Sequence, residues 1–292
     1  MDFVHLQCQS EYSVKNSLVR VPDLIDCVKE AGMNSIALTD DMSLFSAIKF
    51  YQKAVNSGIK PIIGAKITVK NDFGIYDVIL LCQNNEGYLN LSELISKAYL
   101  NEKKAFNVSV SEIQIINHNK GLIMISSPAS SDISNLLLLN EFQAAKNKVL
   151  EWKNIFDDRY YMSVQRTGRN SDESLLNLVI DLGVDLEVPI VATNDVQFLN
   201  KTDYEAHEAR ICIAEGGLLD DTRRVKNFSN EQFLKNSEEM SLLFEDCPKL
   251  IENTLEIAKR CNLHFELFQK NYLPVFPTPD GMTIAEFFSE ES

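Results

Sequence analysis

Short apolar runs rich in β-forming residues alternate with longer amphipathic runs up to about residue 200, and this alternation constrains the fold more than any other feature. Residues 3–9, 35–39, 60–69, 77–82, 121–126, 160–164 and 189–193 read as strands. Residues 21–31, 44–56, 88–100, 136–156 and 173–182 read as helices. Pro22 stands in the first turn of the 21–31 helix and Gly32 just past its end, while Gly58 stops the 44–56 helix. Residues 71–74 form a turn between two strands. Strand-then-helix repetition of this kind specifies an α/β fold, a parallel sheet or a barrel. In such barrels the functional residues gather at the carboxyl ends of the strands.

Beyond residue 200 the pattern becomes helical. Residues 201–213 form one candidate, Ser237 opens a second with a hydroxyl cap, and residues 247–260 form a third with Pro248 in its first turn. Pro274, Pro277 and Pro279 then mark an extended connection, and residues 283–292 read as the start of a helix that is cut short. The expected organisation is a barrel core over 1–200, a helical extension over 201–270, and over 271–292 a linker leading into a further, truncated body.

Charge and cysteine usage exclude several classes of function. The formal net charge of −14 repels phosphate backbones and argues against an independent nucleic-acid binder. The six cysteines contain no CxxC pair, which fits reduced thiols in a cytoplasmic protein. No apolar run is long enough for a membrane span, and the first residues do not form a signal peptide.

The polar residues at strand ends carry the functional question. Gln7 and Gln9, Asp40 and Asp41, Lys66, Asp77, Asp195 and Gln197 fall on or beside strand segments. The layout is that of a polynuclear metal site, yet none of these residues is histidine or cysteine. His5 reads as a hydrogen-bonded strand residue, and His207 as part of a structural helix, since Ile211 stands where a zinc-binding HExxH motif needs its second histidine. His118 and His264 read as surface or packing residues. Asp220 and Asp221, followed by Arg223 and Arg224, read as a solvated loop. Cys8 should face away from its two glutamine neighbours by strand alternation.

Particular stretches carry a family resemblance. The opening Phe3-Val4-His5-Leu6-Gln7-Cys8-Gln9 resembles the first motif of the polymerase and histidinol phosphatase (PHP) domain. The match continues through Ala37-Leu38-Thr39-Asp40, Gly58-Ile59-Lys60-Pro61-Ile62-Ile63-Gly64, Asn84-Asn85-Glu86-Gly87-Tyr88, Arg166-Thr167-Gly168-Arg169 and Ala192-Thr193-Asn194-Asp195. In this form the domain is similar to the one at the start of bacterial DNA polymerase III alpha subunits of proteobacterial type.

The resemblance implies a distorted seven-stranded (β/α) barrel. It also implies that active members hold about three divalent ions through His, Asp, Glu and Cys ligands. Carried over residue by residue, Gln7, Gln9, Asp41, Lys66, Asp77, Pro128 and Gln197 depart from those ligands, and only Asp40 and Asp195 are kept. The expectation is a domain with no catalytic, cofactor or metal residues of its own and a vestigial site. In it Lys66 stands as counter-ion to Asp40, Asp41, Asp77 and Asp195.

The resemblance further implies a structural role in a DNA-directed DNA polymerase whose Mg lies in another domain. The partners it implies are the remaining domains of that chain and the epsilon proofreading exonuclease, with DNA reached only through the full polymerase and no membrane. A residual metal-dependent phosphoesterase or 3′–5′ exonuclease is the alternative, as is a stand-alone histidinol-phosphatase-like enzyme.

Overall fold

A computed structural model describes residues 2–71, 74–101, 108–221, 223–267 and 276–292. The central sheet comprises β1 (Ser35–Asp41), β2 (Lys60–Asn71), β3 (Gly74–Cys82), β4 (Val110–Ser111), β5 (Leu122–Ser126), β6 (Tyr160–Gln165) and β7 (Ile190–Thr193). Their order is β1-β2-β3-β5-β6-β7, with β4 beside β2. The pairs β1–β2, β5–β6 and β6–β7 are parallel, whereas β3 is antiparallel to both β2 and β5. The sequence places a turn and no helix between β2 and β3, and the sheet makes that pair antiparallel. A turn at 71–74 cannot make the crossover a parallel pair needs, so β2 and β3 form a hairpin. Asp72 and Phe73 of that turn lie outside the described residues.

The N-terminal strand expected over 3–9 is also corrected. These residues are not a regular strand, and Cys8 makes an isolated parallel bridge with Val196. Their backbone nevertheless laces the curled sheet together. Gln9 N donates to Val196 O at 3.0 Å and Val196 N to Gln7 O at 3.1 Å on one side. On the other, Ala37 N donates to His5 O and Thr39 N to Cys8 O, both at 2.8 Å. The segment thus closes the gap between β1 and the residues after β7.

One side of this ring is apolar and sealed. Ala37, Ile62, Ile79, Leu81, Ile123, Ile125, Tyr161 and Val191 form a buried cluster drawn from β1, β2, β3, β5, β6 and β7. Helix α10 (Pro248–Arg260) and the residue after it add Ile257, Ala258 and Cys261. The opposite strand faces, among them Ile36, Leu38, Val78, Leu80, Met124 and Met162, pack in a larger cluster against the surrounding helices. These include α1 (Val21–Glu30), α2 (Ala47–Asn56), α3 (Asn85–Asn101) and α7 (Asp172–Leu186). Full burial of each large aliphatic side chain contributes about 1.5–3 kcal/mol, so both faces of the sheet hold the fold.

Three helical expectations change. The single helix over 136–156 is two, α5 (Asp132–Leu138) and α6 (Phe142–Phe156), broken at Asn140, whose φ of 60° leaves the helical region. A short helix α4 (Glu112–Asn117) was not foreseen; Ser111 and Gln114 cap it reciprocally. Helix α9 (Ser237–Leu243) is capped by Asn236, in a capping box with Glu239, and not by a hydroxyl. Ser237 Oγ instead accepts from Phe3 N at 3.2 Å. Helix α8 (Tyr204–Glu215) follows a 3₁₀ turn, and α11 (Ile284–Glu291) is capped by Thr283. Pro274 lies outside the described residues.

Candidate functional site

Side chains alternate between the faces of a strand, so the apolar interior can be followed upward two residues at a time. Ala37 leads to Asp41 on β1, Ile62 to Lys66 on β2, and Tyr161 to Gln165 on β6. Val191 leads to Asp195 just beyond β7, and on antiparallel β3 Ile79 leads back to Asp77. A cavity of about 520 Å³ opens there, lined by Gln7, Lys66, Asp77, Gln165, Asp195 and Gln197 together with neighbouring loop residues. It lies at the carboxyl ends of the parallel strands, where the sequence places the candidate residues.

Lys66 lies between two acids. Its Nζ is 3.7 Å from Asp41 Oδ1 and 3.6 Å from Asp77 Oδ2. Register brings these groups together, since Asp41 pairs with Lys66 across β1–β2 and Asp77 with Thr68 across β2–β3. Burial alone would lower the Lys66 pKa, but Asp41, Asp77 and Asp195 outweigh it and the pKa is raised. The Asp41 pKa is also raised, first by burial and then by the like charge of Asp77, with Lys66 opposing. Several carboxylates share one ammonium, so the cation is fully compensated and Asp41 is not. Asp77 is held further by Thr68 Oγ1 at 3.0 Å and Ser130 Oγ at 3.0 Å.

Among the described residues Asp195 forms no salt bridge, and amides hold it instead. Its Oδ1 accepts from Gln7 Nε2 and Gln197 Nε2, both at 2.8 Å, and its Oδ2 from Gln232 Nε2 at 2.9 Å. Gln7 and Gln197 therefore serve as amide donors to a carboxylate. Gln232 comes from a segment that pairs with the end of the barrel, where Gln197 N donates to Gln232 O at 2.9 Å. Asp195 itself has a φ of 47°, a left-handed conformation that turns its side chain back over the mouth.

Asp40 is not a partner of Lys66, which corrects the expectation that all four acids share it. Being adjacent to Asp41, it faces the other side of the strand. There it accepts from Ser10 N at 2.6 Å, Ser10 Oγ at 2.8 Å, Ser13 Oγ at 2.8 Å and Ser46 Oγ at 2.5 Å. Pro128 does not join the cluster by its side chain; its carbonyl accepts from Ser134 Oγ, and the same loop reaches the site through Ser130. Gln9 is also apart, with its carbonyl bonded by Ser17 Oγ and its side-chain Oε1 buried without a hydrogen-bond partner.

The histidines lie outside the site. His5 Nε2 is 2.7 Å from Lys235 O, and burial lowers its pKa to about 4. His207, on helix α8, has its Nε2 2.6 Å from Asn16 O and lies within an aromatic cluster of Phe198 and Phe228. Burial, followed by the charges of Asp40 and Asp195, raises the Cys8 pKa, which leaves the thiol protonated and inert. Of the charged residues expected in a solvated loop, Asp220, Asp221 and Arg223 are at least partly exposed and Arg224 is not free in solvent. Asp221 pairs with exposed Arg223, whereas Arg224 forms a buried ion pair with Glu208.

As site residues, sequence reasoning missed Gln232 and three that line the cavity, Ser130, Gln165 and Arg169. Gln165 continues the alternation of Tyr161 and Ser163 and was findable that way. Gln232 lies in an irregular stretch with no local signal.

Chemically, neutral amides and a central ammonium are poor surroundings for a divalent cation. Among the described residues no three His, Cys, Asp or Glu side chains gather as a metal-binding group. The donor set present does not fit the polynuclear centre that the resemblance implies.

A family model described as "PHP domain" matches residues 5–167. Over 293 residues the chain is 43% identical to DNA polymerase III subunit alpha of Pseudomonas fluorescens, covering 99% of this chain and 25% of that one. It is 38% identical over 284 residues to DNA polymerase III subunit alpha of Escherichia coli strain K12, covering 96% and 24% of the respective chains. The chain thus spans about a quarter of the length of these curated relatives. Among solved structures, an amidohydrolase from Chromobacterium violaceum aligns with a TM-score of 0.48 and 10% identity over 71% of this chain and 96% of that one.

Proposed function

This chain belongs to the PHP domain family, and we propose that it is the non-catalytic PHP module of a DNA polymerase III alpha subunit. The observation that carries this reading is the hydrogen-bonded closure of the barrel mouth. Three amide N–H groups converge on Asp195, and the Lys66 ammonium lies between Asp41 and Asp77. A divalent ion entering this cluster would have to displace those donors and tolerate the lysine charge. The site is therefore a structural network that ties together the ends of β1, β2, β3 and β7, and the vestige of a metal centre.

In the whole protein, nucleotidyl transfer at carboxylate-held Mg belongs to another domain. This module supports that polymerase body and docks the epsilon proofreading exonuclease, with DNA engaged only by the complete enzyme. The setting is the cytoplasm; among the described residues no helix is long and apolar enough to cross a membrane. Support for the polymerase assignment comes from relatives similar across nearly all of this chain.

The test is elemental analysis of the purified domain with calorimetric titration of Mn²⁺ and Zn²⁺. The expected result is no stoichiometric metal and no heat of binding. Stoichiometric metal that disappears in Asp195→Ala, accompanied by phosphodiester or 3′–5′ exonuclease turnover, would replace this reading with the residual hydrolase.

A further inference from the structure

Away from the barrel mouth, we infer that a groove between the β2–β3 hairpin and helices α5 and α6 is a docking surface for a basic, apolar-anchored peptide segment of a partner protein. The groove has a volume of about 510 Å³. Its rim is apolar and open, with Leu139 68% exposed and Ile75 60% exposed. Leu138 and Phe142 extend the apolar surface along the connection between α5 and α6 and are also about half exposed. Apolar side chains grouped around a concavity mark contact surfaces more often than scattered ones do.

The floor of the groove is acidic. Glu112, Asp132 and Glu151 line it, and among the described residues Lys148 is its one cation. Lys148 Nζ is 2.8 Å from Glu112 and 2.9 Å from Glu151, which leaves acid in excess. The carboxylates are also fixed in place. Glu112 accepts from Tyr76 O–H at 2.7 Å, and Asp132 from Trp152 Nε1 at 2.8 Å. A preformed acidic floor beneath an apolar rim complements a segment that alternates Lys or Arg with large apolar residues. The net charge of −14 steers the same class of partner. This surface is separate from the strand-end network, and the inference holds whether or not that network binds metal.

The experiment uses a short fluorescent peptide of alternating Leu and Lys, its Leu-Glu counterpart as control, and the purified domain. Anisotropy should show salt-sensitive binding of the basic peptide and none of the acidic one. Leu139→Asp and Glu151→Lys change exposed or half-exposed side chains and should each weaken binding about tenfold or more. Ile213→Asp, at an exposed position of helix α8 outside the groove, should bind as the parent does. Equal binding by all variants, or equal loss in Ile213→Asp, would overturn the inference. Sedimentation closes the remaining possibility: self-association of the parent that Leu139→Asp abolishes would assign the groove to a second copy of the chain and overturn it too.

Discussion

Replacing Lys66 by alanine tests the strand-end network directly. At 3.6 Å from Asp77 and 3.7 Å from Asp41, each contact has a gross Coulomb energy of about 4.5 kcal/mol at an effective dielectric of about 20. Burying the ammonium offsets much of that sum. Removing one partner of a buried pair costs about 3–5 kcal/mol because the other charge is left uncompensated. Asp41 retains 32% side-chain exposure and Asp77 19%, which places this site at the lower end, about 3 kcal/mol near pH 7. For a large domain that corresponds to a fall in Tm of about 6–12 °C.

The sign of the pH dependence is fixed by the acids left behind. Asp41 already has a raised pKa in the folded protein, chiefly from burial. Without the lysine it is raised further, so the folded variant binds protons over a range in which the unfolded chain has released them. Stability of the variant then falls relative to the parent as pH rises through that range. Acidification should narrow the difference in Tm, and neutral or alkaline pH should show it in full. Thermal unfolding of both proteins from pH 5 to pH 8 measures this. An unchanged Tm, or a difference independent of pH, would refute the network.

Asp195→Ala should cost about 2–4 kcal/mol in urea unfolding, because three amide donors lose their acceptor and alanine is strained at a φ of 47°. Asp195→Asn tolerates that backbone and keeps one acceptor oxygen, so it should cost clearly less; equal losses would contradict the donor arrangement. His5 stays neutral in the folded state to about pH 4 while its ordinary value is 6.5, so stability present above pH 6.5 is lost as pH falls toward 4. The full loss is about 3 kcal/mol, and His5→Gln should flatten that acid limb in urea midpoints. Gly87→Ala would place a Cβ 1.9 Å from the Gly121 carbonyl oxygen, where the first turn of α3 meets the start of β5. A loss of about 3 kcal/mol or more in thermal unfolding is expected, and a neutral result would contradict that close approach.

Much of the site was legible because strand alternation and strand ends are written in sequence. Lys66, Asp77 and Asp195 line the cavity, and Asp41 stands 3.7 Å from the Lys66 ammonium beside it. The division of Asp40 from Asp41 follows from the same period of two: one acid faces the ring interior and the other the hydroxyls of Ser10, Ser13 and Ser46. The antiparallel β3 was implicit in the short turn at 71–74. Gln232 and Ser130 could not be read this way, because irregular segments carry no periodicity that predicts which long-range contacts they make.

Sequence by itself determined the strand–helix alternation, the apolar faces, and the placement of glutamine, lysine and carboxylates at the strand ends. These are local properties of residue type and spacing. Tertiary structure decided how the N-terminal segment closes the ring, which acid meets the ammonium, and which amides converge on Asp195. Those outcomes depend on register and on loops brought together across the chain, where hydrogen-bond geometry and burial select one partner from several that sequence leaves equivalent.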